Sequence, residues 1–130
     1  MTDFHTMGSL LVRAIGLFNS GEFFEAHEVL EEIWRAAPET EKRFWQGLIQ
    51  IAVAFHHRSV GNTIGAQSLL NRAIGNLSPY PDICGGIQLR PLKVSLENWQ
   101  RVISKGDTDV LPPTIQLSGD PNRSLTHDPG

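Results

Sequence analysis

The sequence predicts an all-α protein: a compact array of about five helices built from tetratricopeptide-like hairpins, followed by an extended C-terminal tail. Three observations carry that prediction. Apolar residues recur at spacings of three and four in successive segments, the period of a helix with one buried face. Breaks rich in Gly, Pro and Asn separate those segments. A pattern of Gly, then Ala five residues later, then Leu four after that, occurs twice, forty residues apart.

The first helix is expected over residues 8–20. Leu10, Leu11, Ala14, Leu17 and Phe18 share one face, and Asn19-Ser20-Gly21 supplies a left-handed C-terminal cap. The second runs from Glu22 to Ala36 and stops ahead of Pro38, because a residue preceding proline is pushed out of the helical region. The third, from Glu39 to Val60, is the most apolar. Phe44, Leu48, Ile51 and Phe55 share a face, yet Trp45, Ile49 and Val53 lie on others, so neighbours enclose this helix on most sides. Its small residues Gly47, Ala52 and Ala54 let adjacent backbones come close.

Gly61-Asn62 breaks the chain before a fourth helix, Thr63 to Leu77. Residues 78–90 read as a loop punctuated by Pro79, Pro81, Gly85 and Gly86. A fifth helix opens near Pro91, a favoured first-turn residue, and buries Leu92, Leu96, Trp99 and Ile103. Residues 1–105 thus form one helical domain, and residues 106–130 a tail rich in Pro, Gly, Asp and Ser. Val110 to Leu117 is apolar enough to lie along the bundle, and the last dozen residues are expected to be loose.

The repeated pattern has a shared physical logic. Gly21 and Gly61 each cap a helix, Ala26 and Ala66 permit a close crossing, and Leu30 and Leu70 fill the hairpin core. That is the logic of tetratricopeptide repeats. The spacing does not fit an array of them, and two copies make a structural echo and not a solenoid.

Composition narrows the function classes. The 130 residues, 40% hydrophobic and 19% charged, allow a modest core. A net charge of −3 argues against a nucleic-acid surface or a polybasic membrane contact. Leu48 to Phe55 is too short, and too interrupted by Gln50, to span a membrane. The start, Met1 to His5, does not read as a signal peptide. One cysteine, Cys84, forbids an internal disulfide and suits a cytoplasmic location as an inert thiol.

The chemistry-bearing residues gather on helices two and three. Phe23, His27, Leu30 and Trp34 fall on one line of helix two, which places His27 near the middle of the apolar face with Glu31 one turn on. Glu28 is nearer the boundary. A buried imidazole and carboxylate need partners. Helix three offers Gln46, Gln50 and His57 as a polar line, with His56 apart. Antiparallel packing would return His56 or His57 toward His27 and Glu28, and Gln46 toward Trp34. Two readings follow. The residues form a hydrogen-bond network that sets helix register. Alternatively they bind a metal: His27, Glu31 and His57 have the chemistry for zinc, manganese or iron. His-Glu-x-x-Glu resembles the zinc-hydrolase His-Glu-x-x-His only in part, since Glu31 would replace the second histidine. The three tryptophans read as core, and Arg43, Arg58 and Arg72 as solvated.

Three segments carry a family resemblance: residues 18–34, Gln46 to His57, and Gly61-Asn62 with Gly65-Ala66 and Leu69-Leu70. In them the chain resembles the domain-of-unknown-function 309 family of small bacterial and archaeal proteins, over about residues 10–77. The resemblance implies a compact multihelical fold. It implies signature positions at Glu25, Ala26, His27, Glu28, Glu31, Trp34 and Gln46, and at a histidine that is either His56 or His57. It implies no reaction or partner. Two functions are therefore expected to compete: a binding or adaptor module around a buried His/Glu network, and a metal-dependent, hydrolase-like enzyme using His27, Glu28 or Glu31 and a helix-three histidine. The first takes a protein or small-molecule partner, and an exposed apolar face allows a homodimer.

Overall fold

The structure is a computed structural model that describes residues 4–105 and 110–119. It is all-α: α1 Phe4–Asn19, α2 Phe23–Ala36, α3 Glu39–Ser59, α4 Thr63–Leu77 and α5 Leu89–Ser104. The expectations about residues 1–3 and 120–130 fall outside the described residues. No helix among the described residues is long and apolar enough to cross a membrane.

The two turns of the repeat have the same backbone. Gly21 and Gly61 adopt φ of 85° and 87°, a left-handed conformation that favours glycine. Glu22 N donates to Leu17 O at 2.9 Å, and forty residues on Asn62 N donates to His57 O at 2.8 Å. These bonds reach back past the glycine and satisfy carbonyls left open at the helix end. Asn62 also caps α4 through its side chain, which accepts from Gly65 N at 3.0 Å. Ala26, Leu30, Ala66 and Leu70 are all buried, as the shared spacing requires.

α3 packs against both α2 and α4, α1 packs on α2, and α5 on α4. α4 comes close to α3 at Gly47. A Cβ added there would stand 2.8 Å from Leu77 Cγ, so any larger residue would force the Leu77 side chain or α4 to move. Aromatic rings from four helices then meet. Phe18 and Phe23 lie 5.1 Å apart edge-on, Phe23 and Phe55 5.8 Å, and Phe55 and Trp99 5.1 Å. Such pairs add about 0.5–1.5 kcal/mol each beyond their buried area.

The expected loop over 78–90 contains a small hairpin. β1 (Ile83–Cys84) pairs antiparallel with β2 (Ile87–Gln88) in the register Ile83↔Gln88 and Cys84↔Ile87. The reason is Gly85-Gly86: both residues take positive φ, 60° and 83°, as a tight two-residue turn demands. α5 starts at Leu89, which puts Pro91 in its first turn. Leu117 adds an antiparallel bridge to Ile87.

Substituting Gly47 by Val tests the α3–α4 contact. It should cost about 2 kcal/mol, the usual penalty for overpacking a close crossing. Urea denaturation reads this directly, and a variant as stable as the parent would mean that the helices can separate freely there.

Candidate functional site

The buried positions of α2 are Phe23, Ala26, Val29, Leu30 and Ile33. At about 100° per residue, His27 lies roughly 100° round from the centre of that arc, and Glu31 further. The pair therefore sits on the flank of the helix and not in the middle of its apolar face. The imidazole is 16% exposed and the carboxylate 42%. Among the described residues no polar or charged side chain is buried, so the expected buried network is a half-buried rim. The extra ring of apolar positions at 26, 29 and 33 outweighs the line through 23, 27, 30 and 34.

At this rim, His27 Nδ1 meets Phe24 O at 2.6 Å and His27 Nε2 faces Glu31 Oε2 at 3.7 Å. Glu31 Oε1 lies 3.8 Å from Arg35 Nη2, so one carboxylate stands between an imidazole and a guanidinium along three successive turns. Surface pairs of this kind contribute under about 1 kcal/mol each. Glu31, Trp34, Arg35, Gln46 and Ile49 line an open cleft of about 240 Å³. Lys42 Nζ stands 4.3 Å above the Trp34 ring and donates to Trp34 O and Arg35 O, which closes the C-terminal end of α2. Three expected site residues, Glu31, Trp34 and Gln46, thus come together. Arg35 was not expected, although its position one turn after Glu31 is the signal that could have found it.

The remaining expected residues disperse. Gln46, Gln50 and His57 occupy the narrow outward ridge of α3, between α2 and α4. Gln46 turns toward α2, whereas Gln50 accepts from Asn76 Nδ2 of α4 at 2.8 Å. His57 Nδ1 pairs with Asn62 Nδ2 at 3.3 Å in the turn before α4. The histidine on the His27 side is His56: its ring lies 5.4 Å from Phe24, and Phe24 lies 4.9 Å from His27. A phenyl ring thus links the two imidazoles. Glu28 is exposed. Among the described residues no three His, Cys, Asp or Glu side chains converge as a metal site would need, so the set His27, Glu31 and His57 is not assembled. The polar groups of α3 are instead spread along its length, and each meets a different neighbour: Gln46 the α2 cleft, Gln50 Asn76 and His57 Asn62.

Of the basic residues read as solvated, Arg43 bonds Asn76 Oδ1 and Gly75 O at 3.1 Å each, and Arg58 stacks 4.6 Å over Trp99. Trp45 and Trp99 are buried, as expected, while Trp34 is only half-buried. Cys84 is half-buried in β1. Burial pushes its thiol up, the Glu41 carboxylate adds to this, and Lys93 opposes it in part.

A second cavity lies on the other side of α3. It measures about 510 Å³ and is lined by Met7, Leu11 and Val12 of α1, Ile33 of α2, Glu41 and Trp45 of α3, the Gly85-Gly86 turn and residues 117–119. Its one carboxylate is already engaged, since Trp45 Nε1 donates to Glu41 Oε1 at 3.2 Å. Sequence periodicity did not reveal this groove, because five separate segments build it.

Residues 11–69 match the family described as "Domain of unknown function (DUF309)". The chain carries a DUF309 domain. The domain takes in both turns of the repeat, the His27–Glu31 rim and the whole of α3. Two similar proteins are themselves uncharacterised. One, "Uncharacterized protein" of Aquifex aeolicus (strain VF5), is 35% identical over 89 residues, covering 68% of this chain and 27% of that protein. The other, "Uncharacterized protein YpuF" of Bacillus subtilis (strain 168), is 46% identical over 54 residues, covering 41% of this chain and 31% of that protein. The chain thus spans less than a third of the curated relatives it matches.

The geometry of the rim sets an expected outcome for His27→Ala. A ring that is 16% exposed and makes one backbone hydrogen bond should cost about 1 kcal/mol on removal, against several for a fully buried, paired group. Thermal denaturation distinguishes the two, and a loss above about 3 kcal/mol would show that the ring is structurally enclosed.

Proposed function

We propose that the protein is a binding module whose recognition surface is the apolar groove between α1 and α3. The observation that carries this reading is the groove itself. At about 510 Å³ it has the size of a ligand site, and Met7, Leu11, Val12, Ile33, Trp45 and Leu117 make it mostly apolar. Val12 is 52% exposed within it, so apolar surface faces solvent there. An acidic chain with such a groove suits an apolar protein segment better than nucleic acid. A second copy of the chain, in a homodimer, is one form such a partner takes. The single Cys84 suits a reducing cytoplasm.

One observation favours a second reading. Glu31, which faces His27, lines the open 240 Å³ cleft, where water or a substrate has access. A metal-dependent enzyme would recruit His27 and Glu31 there, with Glu28 or His56 brought in by movement.

Two measurements separate them. On the binding reading, the folded protein takes up an apolar fluorescent probe such as anilinonaphthalene sulfonate saturably. Val12→Glu then weakens uptake at least fivefold, with helicity unchanged. Uptake that is absent, or indifferent to this variant, removes the groove as the recognition surface. Elemental analysis of untagged protein should find zinc, manganese and iron well below one ion per chain. A stoichiometric metal lost in His27→Ala would replace the binding reading with the enzymatic one.

A further inference from the structure

Residues 110–118 lie along the helices as an extended strand held largely by its backbone. Asn19, at the end of α1, grips Ile115 twice: its Nδ2 donates to Ile115 O at 2.9 Å and its Oδ1 accepts from Ile115 N at 2.8 Å. Gln88 N donates to Gln116 O at 2.8 Å, Ser118 N to Gly86 O at 2.9 Å, and Trp99 Nε1 to Leu111 O at 3.1 Å. Contacts of this kind recognise a backbone whatever its side chains, and alternate side-chain pockets then add selectivity.

The side chains alternate. Pro113 is buried, Thr114 exposed, Ile115 buried at 1%, Gln116 exposed and Leu117 half-buried. This is the period of a strand with one face down. The next inward position is 119. It holds glycine, turned to φ 73°, and its place is in the wall of the open 510 Å³ groove. The geometry along α1 agrees. Four extended residues from Ile115 to Gly119 cover about 13 Å, and the eight helical residues from Asn19 back to Leu11 cover about 12 Å. The seat of the strand and the open groove are therefore one continuous track.

The geometry points to a single extended-peptide site running from Asn19 to Met7, in which residues 110–118 are a built-in occupant. Its external ligand is an extended peptide with apolar residues at alternate positions and a large apolar residue where, among the described residues, Gly119 leaves the groove open. This deepens the binding reading and rests on it. The built-in strand holds the backbone seat at high effective concentration. A partner peptide therefore competes by filling the part of the groove that the strand cannot.

The test uses the full chain with Ile115→Asp, which puts a charge at a buried position and loosens the strand. Two labelled peptides are compared by fluorescence anisotropy. Both carry Val110-Leu111-Pro112-Pro113-Thr114-Ile115-Gln116-Leu117-Ser118, one followed by glycine as in the chain and one by phenylalanine. The phenylalanine peptide should bind the variant at least tenfold tighter than it binds the parent, and at least tenfold tighter than the glycine peptide does. Adding Asn19→Ala should weaken it about tenfold. If Ile115→Asp lowers the helical signal, Leu117→Ser takes its place, with at least a threefold gain over the parent expected. Absence of binding to a folded variant, or equal binding of a scrambled peptide, overturns the inference. Should the apolar probe still enter the groove in that case, the binding reading stands and only the peptide track is lost.

Discussion

α4 lies so close to α3 that Leu77 occupies the space a side chain at Gly47 would need. Most of the architecture depends on that approach. It holds Asn76 where Arg43 and Gln50 can both reach it, and it seals one side of α3. α2 seals the other side, and the aromatic contacts among Phe18, Phe23, Phe55 and Trp99 tie α1 and α5 to the same centre. A helix enclosed in this way keeps only a thin outward ridge. Whatever polar groups it carries must share that ridge, and each is claimed by the nearer neighbour.

This explains which parts of the protein were legible in its sequence. The helices and the two matching turns were, because Gly21, Gly61 and the spacing to Ala26, Leu30, Ala66 and Leu70 act through local backbone geometry. The hairpin at Ile83 to Gln88 was harder, since a Gly-Gly pair between two-residue strands looks like any loop. The candidate site was only partly legible. Glu31, Trp34 and Gln46 do meet, but the partition of α3's ridge between α2 and α4 depends on the interhelical approach at Gly47. No periodicity argument contains that distance. His27 illustrates the same limit: it lies on a line with Phe23, Leu30 and Trp34, yet the five residues that pack define a different centre. Asn19 was visible as a helix cap, whereas its grip on Ile115 spans 96 residues and has no local signature.

The molecule therefore carries two different surfaces on either side of α2 and α3. One is a polar rim, where Glu31 stands between His27 and Arg35 in contact with solvent. The other is an apolar trough closed below by Ile33 and Trp45. Ile33 and Trp34 are adjacent in sequence, and each lines one of the two. A shift of α2 along α3 would reshape both at once.

The 96-residue separation between Asn19 and Ile115 also has a meaning in time. The helices around α3 make contacts between neighbours in the chain, and such contacts form quickly. At a synthesis rate of roughly 5–20 residues per second, Ile115 follows Asn19 after about 5–20 seconds. Throughout that interval the flank of α1 has no strand of its own to cover it. The chain emerges from the ribosome with this surface unoccupied, and the first extended segment it meets need not be its own.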